Sequence, residues 1–72
     1  MPLNLMDLGV EYTIQKILGK ENRRHHLENL GFIVGETVRI LSCFNSYYVV
    51  CVKETKVGLS EELAKLIIVT TH

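Results

Sequence analysis

The side chains best suited to metal chemistry are a histidine pair, His25 and His26, and two cysteines, Cys43 and Cys51. Imidazole and thiolate groups are common ligands of transition metals. Adjacent residues on a helix point about 100° apart, so the histidine pair does not hold one ion on one helix face. A two-histidine helical site needs a spacing such as i, i+4. We therefore expect no metal site and no cofactor, with these four residues as the weak candidate ligands.

The two cysteines are expected on the same outer face of a β-hairpin. Cys43 would lie opposite Val49, which makes Cys51 a diagonal neighbour at about 7 Å. A disulfide usually joins Cα atoms within about 6.8 Å, so this spacing favours two free thiols. A short chain without an export signal also favours thiols in a reducing cytosol. The other candidate ligands, Glu28 and His72, complete no recognised metal-binding spacing.

No arrangement of residues typical of catalysis is present. A Ser-His-Asp set with a nucleophile elbow is missing, and no paired carboxylates have supporting groups around them. The stretch L-G-F-I-V-G lacks the Lys-Ser/Thr of a phosphate-binding loop and follows a predicted helix rather than a strand. We therefore expect that the protein is not an enzyme.

The only basic cluster is formed by Arg23 and Arg24 together with Lys16 and Lys20. A solvated helix face is the simpler interpretation, and contact with an acidic patch on a partner protein is the alternative. Eight basic and eight acidic residues give zero net charge, which disfavours nucleic acid as a partner. With three Tyr, two Phe and no Trp, a base-stacking platform is not expected either.

A hairpin places a second group of candidate contact residues at its tip. Its strands, residues 36–44 and 47–53, alternate apolar and polar side chains. Val38, Ile40 and Phe44 would face the core together with Tyr48, Val50 and Val52 only if the loop holds an odd number of residues. We therefore expect a three-residue loop of Asn45, Ser46 and Tyr47. An exposed Tyr47 would suit protein recognition.

Short elements on either side position these residues. A strand is expected over residues 11–18. A helix is expected over 23–30, with Asn22 as its N-cap and Gly31 as its stop. Further strands are predicted at 56–59 and 67–70, with one helical turn at 61–65 that points Leu63 and Leu66 inward. The pattern is mainly β and indicates a small barrel of about five strands, with one short helix after the first strand and a helical turn before the last.

Length and composition limit the organisation. Seventy-two residues form one domain, 1–72, and 47% hydrophobic residues argue against disorder. No signal peptide is recognisable and no apolar run approaches the ~20 residues of a membrane span, so we expect no direct membrane insertion. The apolar opening segment, from Leu3 to Leu8, is expected to pack along the barrel. The alternative is that it forms an interface for weak self-association.

Three stretches resemble the ferrous iron transport protein A (FeoA) family, whose members have an SH3-like barrel. The first holds Leu3, Leu5, Leu8 and Gly9 and the strand from Tyr12 to Ile17. The second holds Leu27, Leu30, Gly31, Phe32, Val34, Gly35, Val38 and Ile40. The third holds Val57, Leu59, Glu62, Leu63, Ala64, Ile67, Ile68 and Val69. Together they cover nearly the whole chain in order.

The resemblance implies a small cytosolic accessory protein whose partner is the FeoB-type ferrous iron permease, and which is peripheral to the membrane through that partner. Family members often carry basic residues where this chain has His26 and, in the third stretch, Ser60-Glu61-Glu62. We expect partner contacts from two groups of residues: Arg23, Arg24 and His26 on the helix, and Asn45, Ser46 and Tyr47 on the hairpin. The alternatives are a metal-responsive regulator or small iron-binding protein, and a self-associating barrel.

Overall fold

The structure is a computed structural model that describes residues 1–70 of the chain. Its elements are, in order, a 3₁₀ turn (Leu3–Leu5), β1 (Glu11–Ile17), α1 (Glu21–Asn29), β2 (Thr37–Phe44), β3 (Tyr47–Val52), β4 (Thr55–Ser60), α2 (Glu61–Ala64) and β5 (Ile67–Val69). Five strands, a helix after the first and a helical turn before the last confirm the predicted architecture. No helix within residues 1–70 has the length and apolar character needed to cross a membrane.

The strands form one antiparallel sheet in the order β4-β3-β2-β1-β5. β1 pairs with two strands: Glu11 to Thr13 pair with β2, and Ile14 to Ile17 pair with β5. An irregularity in register between Ile14 and Lys16 lies within the pairing with β5. Irregularities of this kind bend a strand and increase its twist, so β1 carries the sheet around the core.

The core is entirely apolar apart from two tyrosines, and it draws on every strand and both helices. Its buried members are Leu3, Tyr12, Ile14, Leu27, Phe32, Val38, Ile40, Tyr48, Val50, Val52, Leu59, Ala64, Ile67 and Val69. The predicted inward face of β3, with Tyr48, Val50 and Val52, is confirmed. Phe44 is an exception, because it was expected in the core and is 76% exposed.

The expected three-residue hairpin loop is wrong. Phe44 pairs directly with Tyr47, which leaves only Asn45 and Ser46 in the loop. Both have positive φ, 51° and 63°, the conformation that a two-residue hairpin turn requires. A shift of register between Ile40 and Ser42 leaves Leu41 as an extra residue in β2. This shift is what allows the apolar side chains of β2 and β3 to face the same core despite the two-residue loop. The bulge supplies the odd residue that had been assigned to the loop.

The same bulge overturns the expected arrangement of the cysteines. Cys43 pairs with the inward-facing Tyr48, whereas Cys51 pairs with Arg39 and alternates with inward-facing neighbours. The two thiols therefore lie on opposite faces of the sheet rather than on one. Both are free cysteines, with Cys43 exposed and Cys51 half-buried.

The helix α1 begins two residues earlier than expected. Its N-cap is Lys20 rather than the predicted Asn22, and no side chain makes a capping hydrogen bond there. The Asn22 carboxamide instead accepts a hydrogen bond from the adjacent Arg23 amide at 2.8 Å. Gly31, with φ of 108°, confirms the predicted stop. The Phe32 amide donates to the Leu27 carbonyl at 3.0 Å, the closing bond of a Schellman motif.

The segment after β3 also differs in detail from the prediction. A second two-residue turn, Lys53 and Glu54, has positive φ at both positions and starts β4 at Thr55. In α2 the fully buried residue is Ala64, whereas Leu63, and Leu66 just after the helix, are only partly buried. Ser60 is the N-cap of α2, but its side chain makes no capping hydrogen bond.

The opening segment packs along the barrel with some of its apolar side chains and exposes others. Leu3 is fully buried, Pro2 forms an isolated bridge with Ile68, and the Met1 ammonium donates to the Val69 carbonyl at 3.0 Å. Leu5 and Leu8 are 62% and 56% exposed. The expectation of packing therefore holds for Leu3 and for Met6, which is partly buried against the core, whereas Leu5 and Leu8 stay on the surface.

Candidate partner-binding surface

The outward face of α1 carries charge that the fold does not use. Leu27 is the only buried residue of the helix, and Arg23, Arg24, His25 and His26 are all exposed. The side-chain hydrogen bonds recorded within residues 1–70 involve none of these four side chains. The core-facing leucine fixes the orientation of the helix, and the four polar side chains are left to solvent or to a partner.

A groove separates α1 from α2. Asn22, Arg23 and His26 line one wall, and Ser60, Glu62 and Leu63 line the other, around a volume of about 380 Å³. A second depression of about 470 Å³ adjoins it, lined by Gly19, Lys20, Asn22, Arg23 and Leu66. Asn22 and Arg23 line both, so these two residues lie where the two depressions meet beside α1.

The hairpin tip is attached to the same surface through α2. The Glu61 amide, at the start of α2, donates a hydrogen bond of 2.9 Å to the Ser46 carbonyl in the tip. Tyr47 pairs with Ser60, the residue just before the helix. Because α2 contacts the tip on one side and forms the groove with α1 on the other, the two predicted groups of contact residues belong to one continuous surface.

Sequence reasoning noted Ser60-Glu61-Glu62 only as a departure from the family pattern and missed that α2 joins the two groups. The short length predicted for α2 could have indicated that its polar side chains lie at the surface. A helix of four residues cannot cover much of the core, so its polar side chains stay at the surface.

Two aromatic side chains are exposed beside the tip. Phe44 and Tyr47 pair across the hairpin, and Tyr47 is 53% exposed, as predicted. The Tyr47 ring lies over Gly58 of β4, where a Cβ atom would approach its Cε2 and Cζ atoms to 2.7 and 2.8 Å. Gly58 therefore provides the space in which the ring lies. Sequence reasoning missed Phe44 because it did not place the bulge in β2.

A polar junction lies beneath the tip, around the Tyr48 hydroxyl. The hydroxyl donates to the Asn4 carbonyl at 3.4 Å and lies near the Cys43 thiol and the Glu61 carboxylate. Burial raises the pKa of Tyr48, and the hydrogen bond and charge of Cys43 and then the charge of Glu61 raise it further. The Asn4 side-chain oxygen is buried without a hydrogen-bond partner. The junction joins the opening segment to β2, β3 and α2.

The candidate metal ligands do not converge. Within residues 1–70 no group of three or more His, Cys, Asp or Glu side chains is arranged to hold a metal ion. His25 and His26 are exposed on α1, and the two cysteines lie on opposite faces of the sheet. His72, a further candidate, lies outside the described residues.

The fold is that of a small SH3-like β protein. The FeoA of Stenotrophomonas maltophilia, solved with zinc, superimposes with a TM-score of 0.85 and is 24% identical, over 97% of this chain and 89% of that one. It is described as an SH3-domain protein and a candidate activating factor of bacterial ferrous iron transport. The predicted SH3-like fold is confirmed.

The chain belongs to the FeoA family, because the model of the FeoA domain matches residues 1–71. The family is associated with ferrous iron transport and is not a known enzyme family. This confirms the family that the sequence resembled.

Other solved structures agree. An iron uptake regulatory protein (FeoA) has a TM-score of 0.89 and 26% identity, over 96% of this chain and 93% of that one. Iron(II) transport protein A from Clostridium thermocellum has a TM-score of 0.90 and 24% identity, over 96% of this chain and 44% of that one. A comparison with curated protein sequences found no match.

Proposed function

We propose that the protein is a non-enzymatic accessory protein of ferrous iron uptake that binds a FeoB-type permease and modulates it from the cytoplasmic side. It would be held at the membrane through this partner rather than by insertion. The proposal is supported by the membership of the FeoA family and by a solved FeoA that is described as a candidate activating factor of ferrous iron transport.

The continuous surface formed by α1, α2 and the hairpin tip is the proposed contact region. The single observation that carries this assignment is that this surface concentrates exposed charged and aromatic side chains for which the fold has no use. Arg23 lies at the groove, and Tyr47 lies over Gly58 at the other end. Arg and Tyr are enriched at the centres of protein interfaces because each offers a large contact area together with a polar end.

The groove between α1 and α2 is the part of this surface best able to receive a side chain or short segment of the partner. Arg23, His26 and Asn22 offer hydrogen-bond donors on one wall. Leu63 provides an apolar contact on the other wall. We assign Arg23 and His26 to the groove contact and Asn45, Ser46 and Tyr47 to a second contact at the tip, with Arg24 at the edge.

Binding to the cytosolic domain of the cognate permease tests the proposal. We expect Arg23→Glu and Tyr47→Ala each to weaken binding by about 5- to 30-fold, the effect of losing 1–2 kcal/mol at an interface. The measurement is isothermal titration of the purified protein into the permease domain, in the nucleotide-free, GDP-bound and GTP-analogue-bound states.

Lys56→Glu is the matched control. It makes the same charge reversal as Arg23→Glu at an exposed position of β4 that pairs with Cys51, far along the strand from the tip. The control should bind as the unmodified protein does. No binding in any nucleotide state would contradict the proposed function, and equal losses in all three variants would contradict the proposed surface.

A further inference from the structure

The groove between α1 and α2 has opposite charges on its two walls. Arg23 of α1 and Glu62 of α2 both line it, and the partly buried Leu63 lines it as well. The side-chain hydrogen bonds recorded within residues 1–70 include neither the Arg23 guanidinium nor the Glu62 carboxylate. Both charges are therefore available to another molecule.

Opposite charges on facing walls make the groove complementary to a copy of itself. In a two-fold symmetric interface, a residue that contacts a second residue across the axis is matched by the reverse contact. Arg23 of one copy would then meet Glu62 of the other copy, and Glu62 of the first would meet Arg23 of the second. Leu63, on the α2 wall of each copy, would add an apolar contact beside the ion pairs.

The charge balance favours this occupant over others. A strongly acidic ligand would be repelled by Glu62, and a strongly basic one by Arg23, because like charges at an interface are costly. A second copy presents both signs in the required positions. The formal net charge of zero also means that two copies do not repel each other at long range.

We propose that the α1–α2 groove binds a second copy of this chain through two crossed Arg23–Glu62 ion pairs, forming a weak dimer. The dimer is weak because ion pairs at an exposed surface contribute little each. It covers Arg23 and His26, which the proposed function assigns to the permease. If that function holds, dimer formation and permease binding exclude each other, whereas the dimer itself does not depend on that function.

A charge exchange tests the dimer on the purified protein alone. We expect sedimentation velocity at low ionic strength to show a dimer that grows over about a hundredfold range of protein concentration. Arg23→Glu and Glu62→Arg should each weaken it by about 5- to 30-fold, because each places two like-charge pairs across the axis. The double variant should restore association to within about threefold, because the pairs re-form with their signs exchanged.

Arg24→Glu is the control, because it makes the same charge change on the next residue of α1, which does not line the groove. It should leave the dimer unchanged. All three positions of substitution are solvent-exposed, and circular dichroism verifies that each variant is folded. A protein that stays monomeric at every concentration overturns the proposal. So does a double variant that fails to recover, or a dimer that survives ~1 M salt, where screening acts within about 3 Å.

Discussion

Gly58 shows how a residue without a side chain determines the position of an exposed one. The Tyr47 ring occupies the space that a Cβ atom at position 58 would need. A side chain there would push the ring off the sheet, and the ring is free to move because it is 53% exposed. The residue therefore controls the shape of the surface at the tip more than it controls the stability of the fold.

The expected effect of Gly58→Ala depends on Tyr47. In the unmodified protein the substitution should lower the free energy of unfolding by up to about 1 kcal/mol, because the new methyl group displaces the ring. In a Tyr47→Ala background it should raise stability by a few tenths of a kcal/mol or more, because Gly is unfavourable within a strand. Urea unfolding of the four proteins in this cycle measures both effects. The same sign in both backgrounds would contradict the contact.

Tyr48 makes stability depend on pH in the alkaline range. Its pKa is raised in the folded protein, chiefly by burial and then by Cys43 and Glu61, above the ordinary value of 10.0. The unfolded chain therefore loses the phenol proton at a lower pH than the folded protein does. The stability conferred by this group is fully present below about pH 10 and is lost as the pH rises through the folded-state pKa.

Urea unfolding at a series of alkaline pH values checks this dependence. We expect the free energy of unfolding of the unmodified protein to decline above pH ~10, and the decline to be smaller in Tyr48→Phe, which has no phenol to titrate at this position. Tyr47→Phe, at the exposed neighbouring position, is the control and should keep the full decline. Identical slopes in all three proteins would contradict the role of Tyr48.

At the scale of elements, α1 is stabilised more at its C-terminal end than at its N-terminal end. The N-terminus has no side-chain cap, whereas the C-terminus has Gly31 at positive φ and the two closing hydrogen bonds of the Schellman motif. Leu27 and Phe32, which frame that motif, are both fully buried. The helix is therefore held against the core at its last turn.

Substitution of Gly31 should lower the stability of the fold more than substitution of the nearby Asn29. Gly31→Ala is expected to lower the free energy of unfolding by about 1–2 kcal/mol, because an L-residue is strained at positive φ. The added methyl group itself meets only ordinary contacts, the nearest being a Val52 methyl at 3.5 Å, so strain is the main cause. Asn29→Ala, at the exposed last residue of α1, is the control and should change stability by less than about 0.5 kcal/mol. Thermal or urea unfolding compares them.

The elements of this fold can be read from the sequence, but the pairing between them cannot. Hydrophobic alternation located the strands, and Gly31 located the end of the helix. The sequence around Leu41 does not indicate a bulge, since a leucine fits either face of a strand. The bulge nevertheless determines the length of the hairpin loop and the faces of the sheet on which the two cysteines lie. Register in this hairpin is set by core packing among residues from several strands, which a local pattern does not contain.

The candidate surface was predictable at its two ends and not in its middle. Arg23 and Tyr47 are a charged and an aromatic residue on short elements, so their exposure follows from local pattern. The role of α2 as the connection depends on one long-range backbone hydrogen bond, between the Glu61 amide and the Ser46 carbonyl. The sequence contains no local signal for a contact of that kind.

Across the whole molecule, apolar residues form the core that stabilises the fold, and the charged side chains lie at the surface. The buried residues are apolar, with no buried charged side chain among residues 1–70. Apolar burial therefore holds the fold, which is what a small domain with little interior requires. The charges on α1 and α2 can consequently be exchanged in the experiments above with little effect on folding, since surface substitutions usually change stability by less than about 0.5 kcal/mol.

The sharing of β1 between β2 and β5 has a consequence for the order of events during synthesis. Glu11 to Thr13 can pair once β2 has been synthesised, but Ile14 to Ile17 can pair only after β5, which follows the other four described strands in the chain. Until then, part of the first strand remains an open edge, the kind of surface that invites pairing with other chains. Whenever β5 is not in place, the protein therefore carries an unpaired strand edge at the second half of β1.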